Sequence, residues 1–553
     1  MSDAQPPSTV ETFPKARRWL PTASFREGSC ASGLATQGIA GAASIVALGN
    51  LTSRVLGLVR EAISASLFGA TGLVSAFGVA NTIFRQLYDL LIGGMLNSAL
   101  VPVFAEYTAL KQREELWRIL SILLSLTVVL LSGIVLLLEL LSPQLTWLIA
   151  GGFEAPNRAV TQTLVRIMLP SVLFLNLAGV VTGFLYASRR FLYPALGVAI
   201  YNAGIIAAML LLSRRLDIYS LGVGVLGAAI LQLLVQLPGL RGARLSFSLD
   251  LRHPALRRIL ALYSPIVLGL IVSLVQVTID RRLATGTGES SIAWMDKATT
   301  LVQSAHGVVA VAISTAALPL LAQASARADW QSYRRTLGLS LRLSLVLIVP
   351  LVVALFILAG PLVAILFQHG EFTAHDTYWT ALALRLYLLG LVFATIDWPL
   401  NYAFYARQDT LTPALVGILS VGVYLVVALL LLRPLGMLGL VLADSAKHFS
   451  HALTMLALTH RRLDGLRGQA LPQTSAKAIL ASAVMGGIML TLALALGRTI
   501  GAASLGARLL AVALPAVAGL LVYGGLAVWM RMEEALLLYA AIKQRLRNRV
   551  SGK

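Results

Sequence analysis

A chain of 553 residues that is 58% hydrophobic and only 12% charged is not a set of soluble domains, which carry roughly 25% charged residues. The formal charge of +20 is dispersed in short basic clusters between apolar runs, which argues against a nucleic-acid-binding surface, and the single cysteine, Cys30, excludes a disulfide scaffold. What remains is an all-α polytopic membrane protein.

Residues 1–36 have no apolar core followed by a small-residue cleavage site and read as a cytoplasmic tail, not a signal peptide. Apolar runs long enough to cross a ~30 Å hydrocarbon core then recur at 37–60, 74–106, 119–149, 158–187, 191–213 and 218–240, an N-lobe (37–240) of six helices. A basic cytoplasmic linker, 241–257, precedes a C-lobe (258–460) with runs at 258–284, 291–323, 336–366, 377–406, 411–432 and 436–459. After a basic loop, 461–474, helices thirteen and fourteen occupy 475–531, and 532–553 reads as a basic amphipathic tail on the inner membrane surface. About fourteen transmembrane helices result. With both termini cytoplasmic, the inner segments hold about 28 Lys and Arg and the outer segments about 8, the asymmetry of the positive-inside rule. Arg281 and Arg282 are counted outside in this scheme. The basic inner loops imply contact with anionic membrane lipid.

The chain also repeats itself. Tyr186-Ala187-Ser188-Arg189-Arg190-Phe191-Leu192-Tyr193-Pro194-Ala195-Leu196 returns as Tyr405-Ala406-Arg407-Gln408-Asp409-Thr410-Leu411-Thr412-Pro413-Ala414-Leu415, identical at six of eleven positions. The segments 98–105 and 315–322 echo each other at nearly the same offset. Six spans separate the copies, so two parallel six-helix lobes are expected around a central cavity, the arrangement that works by rocking one half against the other.

Eight cations fall inside apolar runs: Arg54, Arg60, Arg85, Arg166, Lys297, Arg342, Arg385 and Lys447. Intramembrane charge is costly and normally faces a cavity. Arg342, near a span end, is expected to snorkel. Arg60 and Glu61 are adjacent and point different ways on a helix, which disfavours a local pair. Arg54, Arg85 and Lys297 lie in spans one, two and eight, where they serve either to bind an anion or to pair with Asp89, Asp280 or Asp296. Arginine suits phosphate because its planar fork donates two hydrogen bonds. The acids Asp89, Asp280 and Asp296 are candidates for cation coupling or gating. No HExxH, GxSxG or P-loop pattern marks an enzyme, and His369, His375, Glu371 and Asp376 read as solvated loop residues, not a metal site. Trp294, Trp398 and Trp529 read as interfacial anchors.

At Ser53-Arg54-Val55-Leu56-Gly57-Leu58-Val59-Arg60-Glu61, Leu67-Phe68-Gly69-Ala70, Gly93-Gly94, Ala99-Leu100-Val101-Pro102 and Gln236-Leu237-Pro238 the chain resembles the MurJ/MviN family of lipid II flippases, within the multidrug/oligosaccharidyl-lipid/polysaccharide exporter superfamily. Phe367-Gln368-His369-Gly370-Glu371-Phe372-Thr373 and Phe404-Tyr405-Ala406-Arg407-Gln408-Asp409 with Thr412-Pro413 carry the resemblance further. It implies two lobes around a basic cavity, a groove for the polyprenyl tail on helices thirteen and fourteen, and transport of the undecaprenyl-pyrophosphate-linked peptidoglycan precursor across a bacterial inner membrane. Arg54 and Arg60 match the family's helix-one arginines. The helix-two and helix-eight arginines fall on Tyr88 and Thr300, and the helix-two acid on Ser75. Arg85 and Lys297, one turn earlier, are expected to line the cavity instead. Asp280 matches a position linked to sodium in some members, so the drive is sodium, protons or the membrane potential; no resident cofactor is implied. Another polyprenyl-linked glycan as cargo, a cationic drug exchanged for protons or sodium, or a non-transporting scaffold of cell-wall or division proteins, are the alternative readings.

Overall fold

The computed structural model describes residues 31–93, 99–109, 113–462, 466, 468–499 and 505–537. The first half comprises α1 (Ala31–Phe68), α2 (Gly72–Tyr88), α3 (Val101–Ala109), α4 (Arg113–Leu140), α5 (Ser142–Ala150), α6 (Ala155–Ala187), α7 (Leu192–Leu216) and α8 (Tyr219–Gln236). The second comprises α9 (Pro254–Ala284), α10 (Ser291–His306), α11 (Ala312–Ala326), α12 (Trp330–Phe367), α13 (Ala374–Ala406), α14 (Leu411–Leu435) and α15 (Met437–Arg462). Two further helices follow, α16 (Leu471–Thr499) and α17 (Leu505–Trp529).

Helices occupy each of the fourteen expected spans. Ten are long and apolar enough to cross a membrane by themselves, and α9, bent by 51°, makes an eleventh. The other three expected spans fall on α1, the α2–α3 pair and α15, which carry Arg54, Arg60, Glu61, Arg85, Asp89, Asp444 and Lys447. Interior charge of this kind is expected to face a cavity or a partner.

The duplication is structural. The bounds of α6 and α13 differ by 219 residues at both ends, and so do those of α7 and α14. Each half also has a π-helical turn in its second span, Asp89–Gly93 and Gly307–Val311, displaced by 218, and in the first half residues 99–100 are π-helical as well. Such turns recur at functional sites because they re-aim side chains within a continuous helix. Left-handed residues at the turns repeat as well: Arg189 with Gln408, and Asp217 with Gly436. In the first half α2, α4 and α8 pack on α6; in the second α10, α12 and α15 pack on α13. Helices α16 and α17 pack on each other and on α12 through Val346, Leu358, Ala481, Met485, Met489 and Tyr523. The Tyr523 hydroxyl donates to Val346 O at 2.7 Å, so this apolar seam also satisfies its one buried phenol.

Three expectations need correction. Arg342 does not snorkel: it pairs with buried Glu534 at 2.8 Å and ties α12 to the segment after α17. The loop acid Asp376 is buried, caps α13 in a reciprocal capping box with Thr373, and accepts from Trp294 Nε1 at 2.9 Å. Trp294 stacks on Trp379 with centroids 5.7 Å apart, so it is a packing residue here and not a free interfacial anchor. Trp529, in contrast, is largely exposed. Residues 1–30, Gly94 and most of the expected C-terminal tail lie outside the described residues.

The motif at 404–413 is a helix start. Asp409 accepts from Thr412 N at 3.0 Å and Thr412 Oγ1 at 2.7 Å, and it pairs with Arg462 at 2.8 Å, tying α14 to the end of α15. Partial burial works to raise the Asp409 carboxyl, but the Thr412 donors and the Arg462 guanidinium outweigh it and hold it below the usual range. A depressed carboxylate contributes stability above the ordinary value near ~4 and loses it as pH falls through the depressed one. Asp409→Ala is therefore expected to cost about 1–2 kcal/mol at neutral pH. Melting curves of wild type and variant should converge as the buffer is taken down through that range.

Candidate functional site

A cavity of about 350 Å³ lies between α1, α2, α9 and α10, the first two spans of each repeat. Its charged lining is Arg60, Glu61, Arg85, Asp89, Arg281, Asp296 and Lys297, with Asn81, Thr82, Thr299, Thr300 and Gln303 as neutral polar neighbours. Four cations therefore face three acids. The excess of positive charge is smaller than the sequence implied, because most of the cations are committed to partners.

Lys297 is 2% exposed and donates to Glu61 Oε2 at 2.6 Å and Glu61 O at 3.1 Å. None of the acids expected for it is its partner. Glu61 also pairs with Arg60 at 2.9 Å, contrary to the expectation that neighbours on a helix diverge, since the long arginine side chain curls back over its neighbour. Arg60 is held in place by Asn202 of α7 at 3.2 Å, and Asn202 in turn donates to Ser53 Oγ at 3.2 Å. The triad thus crosses from one half to the other: Arg60 anchors in the first, Lys297 belongs to the second, and Glu61 joins them.

Arg281 is the second departure. It lies in the last turn of α9, lines the cavity, and pairs with Asp296 at 2.6 Å, with Nε and Nη1 left without partners. Its neighbour Arg282, a turn of about 100° away, instead donates to Trp147 O at 3.2 Å and covers the Trp147 ring at 5.3 Å. Asp296 also rests on α2, where a Cβ added to Gly78 would lie 2.6 Å from Oδ2. Asp280 does not line the cavity; it accepts from the buried Tyr424 hydroxyl of α14.

Arg54 also falls outside the lining. Seven residues before Glu61, it shares that face of α1 but sits two turns away, exposed, with its guanidinium against the backbone of Gly307 in the second π-helical turn. Arg85 does line the cavity, as does Thr300, whereas Tyr88 does not. Among the described residues Arg85 has no ion pair or hydrogen bond, and Asp89 follows it by one turn at the start of the first π-helical turn. Asp89 interacts with it electrostatically, but among the described residues Arg85 is the one cavity cation whose guanidinium makes no close contact with a protein acceptor.

The halves are latched at the end where α1 gives way to α2. Ala293 N donates to Ser75 Oγ at 3.2 Å, Gly152 N to Thr285 Oγ1 at 3.1 Å, and Glu371 N to Ser66 O at 3.0 Å. Two of the sequence motifs are opposite faces of this latch. Gly69 and Gly370 are both left-handed, at φ of 65° and 57°; a Cβ on Gly69 would meet Glu371 O at 2.7 Å, and one on Gly370 would meet Ser66 O at 2.1 Å. Only glycine allows this close approach. Gly370→Ala is expected to loosen the latch, with strain of about 1–3 kcal/mol favouring the separated state on the order of tenfold. Faster maleimide labelling of a Ser64→Cys reporter, in a Cys30→Ser background, measures it.

Among the described residues no three His, Cys, Asp or Glu side chains group to hold a metal ion. The sequence profile of the family described as lipid II flippase MurJ matches residues 64–511. The lipid II flippase MurJ of Burkholderia cenocepacia is 30% identical over 381 residues, 66% of this chain and 73% of that protein. A probable lipid II flippase MurJ of Rhizobium tropici is 28% identical over 463 residues, 80% of this chain and 85% of that one. A solved structure of lipid II flippase MurJ in an inward closed conformation has a TM-score of 0.74 at 23% identity, covering 88% of this chain and 98% of its own. An inward-facing multidrug transporter of the MATE family shares the fold more loosely, with a TM-score of 0.64 at 16% identity over 75% of this chain and 95% of its own. With four-fifths of its length inside the family profile, the chain belongs to the MurJ family of lipid II flippases.

Proposed function

We propose that this protein moves lipid II, an undecaprenyl-pyrophosphate-linked disaccharide-pentapeptide, from the inner to the outer leaflet of a bacterial inner membrane, with both termini cytoplasmic. The observation that carries the reading is Arg85, a guanidinium that makes no hydrogen bond or close ion pair among the described residues, in a polar chamber between two halves whose other cations are each paired with an acid. A planar fork with free donors is suited to a pyrophosphate. Polar walls provide water-like surroundings for the sugar and peptide, while the tail stays in lipid along α16 and α17, whose outward faces are rich in exposed leucine.

The pairs Glu61–Lys297 and Arg281–Asp296 then act as a gate at the latched end, which the positive-inside count places outward. Anionic cargo competes for Lys297 and Arg281, weakens these pairs and favours separation of the halves, which is the rocking step. A coupling cation would act at Asp280, where it competes with the Tyr424 hydroxyl.

The test is rescue of a flippase-depleted bacterium. Wild-type protein is expected to restore growth and wall synthesis. Failure to do so, at normal membrane levels, would favour a different polyprenyl-linked glycan or a scaffolding role.

A further inference from the structure

A second cavity, of about 600 Å³, lies apart from the interhalf chamber, among the end of α3, the start of α4, the end of α6 and the turn after α8. Arg113, Arg190 and Arg241 line it together with Tyr107, Trp117 and Phe184, and none of its described lining residues is acidic. Arg190 is oriented by a hydrogen bond to Gly239 O at 2.5 Å. The guanidinium groups of Arg113 and Arg241 have no partner among the described residues. Three cations with no acid among the described lining residues favour an anion.

The chain leaves this cavity in extended form along α4. Ser246 N donates to Ser121 Oγ and Ser248 N to Ser125 Oγ, each at 3.1 Å, so serines one turn apart on α4 hold one edge of the strap. The period-two alternation turns Leu245, Phe247 and Leu249 the other way, 48%, 72% and 45% exposed. An apolar edge of this kind beside a cationic, aromatic-lined cavity has the layout of a membrane interface, with headgroup-level charge next to acyl-level hydrocarbon.

We propose that the cavity and the strap form a binding site for an anionic phospholipid. The phosphate sits between Arg113, Arg190 and Arg241, and the acyl chains lie along the Leu245–Phe247–Leu249 edge. A free phosphate would satisfy the arginines but leaves the apolar edge without a role. A zwitterionic lipid brings a cationic headgroup into a cavity that offers it no acid. The inference is independent of lipid II, since no residue of this site lines the interhalf chamber.

The experiment uses the full chain in neutral detergent, with retained lipid counted by native mass spectrometry during titration with phosphatidylglycerol, phosphatidylcholine or inorganic phosphate. Wild type is expected to retain phosphatidylglycerol preferentially. An Arg113→Gln/Arg241→Gln protein should bind it at least about tenfold more weakly. Phe247→Ser should weaken phosphatidylglycerol binding while leaving competition by inorganic phosphate unchanged. Melting in phosphatidylcholine confirms that each variant is folded; should the double variant not fold, Arg113→Gln and Phe247→Ser carry the comparison. Equal retention of both lipids, undiminished binding by the variants, or competition by inorganic phosphate as strong as that of the lipid would overturn the proposal.

Discussion

An Arg85→Ala protein is expected to fold and insert as wild type does, yet to transport a pyrophosphate-linked lipid roughly 10- to 100-fold more slowly, the range set by losing a hydrogen bond to a charged group. Arg85 is exposed within the chamber and makes no hydrogen bond or close ion pair among the described residues, so its removal breaks no buried pair. The melting temperature should therefore scarcely move, as for other substitutions away from buried networks. Transport suffers because Arg85 is the chamber cation whose donors no described residue engages, and its loss also removes the net positive charge of the lining. Arg85→Lys keeps the charge but not the fork, and should recover only part of the rate. Rate and melting temperature measured on the same preparations separate loss of binding from loss of fold.

Glu61→Ala should behave in the opposite way, damaging stability first. Lys297 is buried and among the described residues its ammonium has Glu61 as its only carboxylate partner, so the variant strands a charge with one backbone carbonyl and the face of Phe367, 5.6 Å away. Breaking a buried pair in this manner costs about 3–5 kcal/mol. The same change severs the bridge between the halves, so a clear fall in melting temperature should accompany opening at the latched end. Adding Lys297→Met removes the stranded charge, and the double variant should regain most of the stability while still transporting poorly. Thermal unfolding of the three proteins in one detergent checks this; equal melting of Glu61→Ala and wild type would mean that the triad holds nothing together.

The contrast between these two arginine and lysine sites explains what could be read from the sequence. Spans were legible because hydrocarbon demands long apolar runs, and the repeat was legible because its copies keep a constant offset, later matched by both ends of α6 and α13. The pairing of interior charges was not. Glu61 and Lys297 lie 236 residues apart, and no local pattern relates them. Glu61 did carry a signal, an acid within an apolar run beside Arg60 in the 53–61 motif, but helix geometry alone argued against its pairing with Arg60. Arg281 and Arg282 look alike at the edge of an apolar run; the fold turns one into the chamber and the other onto Trp147. The glycine motifs at 67–70 and 367–373 were recognisable as words, yet their meaning as two sides of one latch depends on a contact between segments some 300 residues apart.

The most direct measurement is translocation of fluorescent lipid II by the purified protein in liposomes, read as the fraction reached by a membrane-impermeant quencher. A lipid II flippase that grips its cargo through Arg85 should give protein-dependent movement as wild type, lose most of it as Arg85→Ala, and leave unmoved an analogue whose pyrophosphate is replaced by a neutral linker. Equal transport of the charged and neutral lipids, or undiminished transport by Arg85→Ala, would contradict this mechanism.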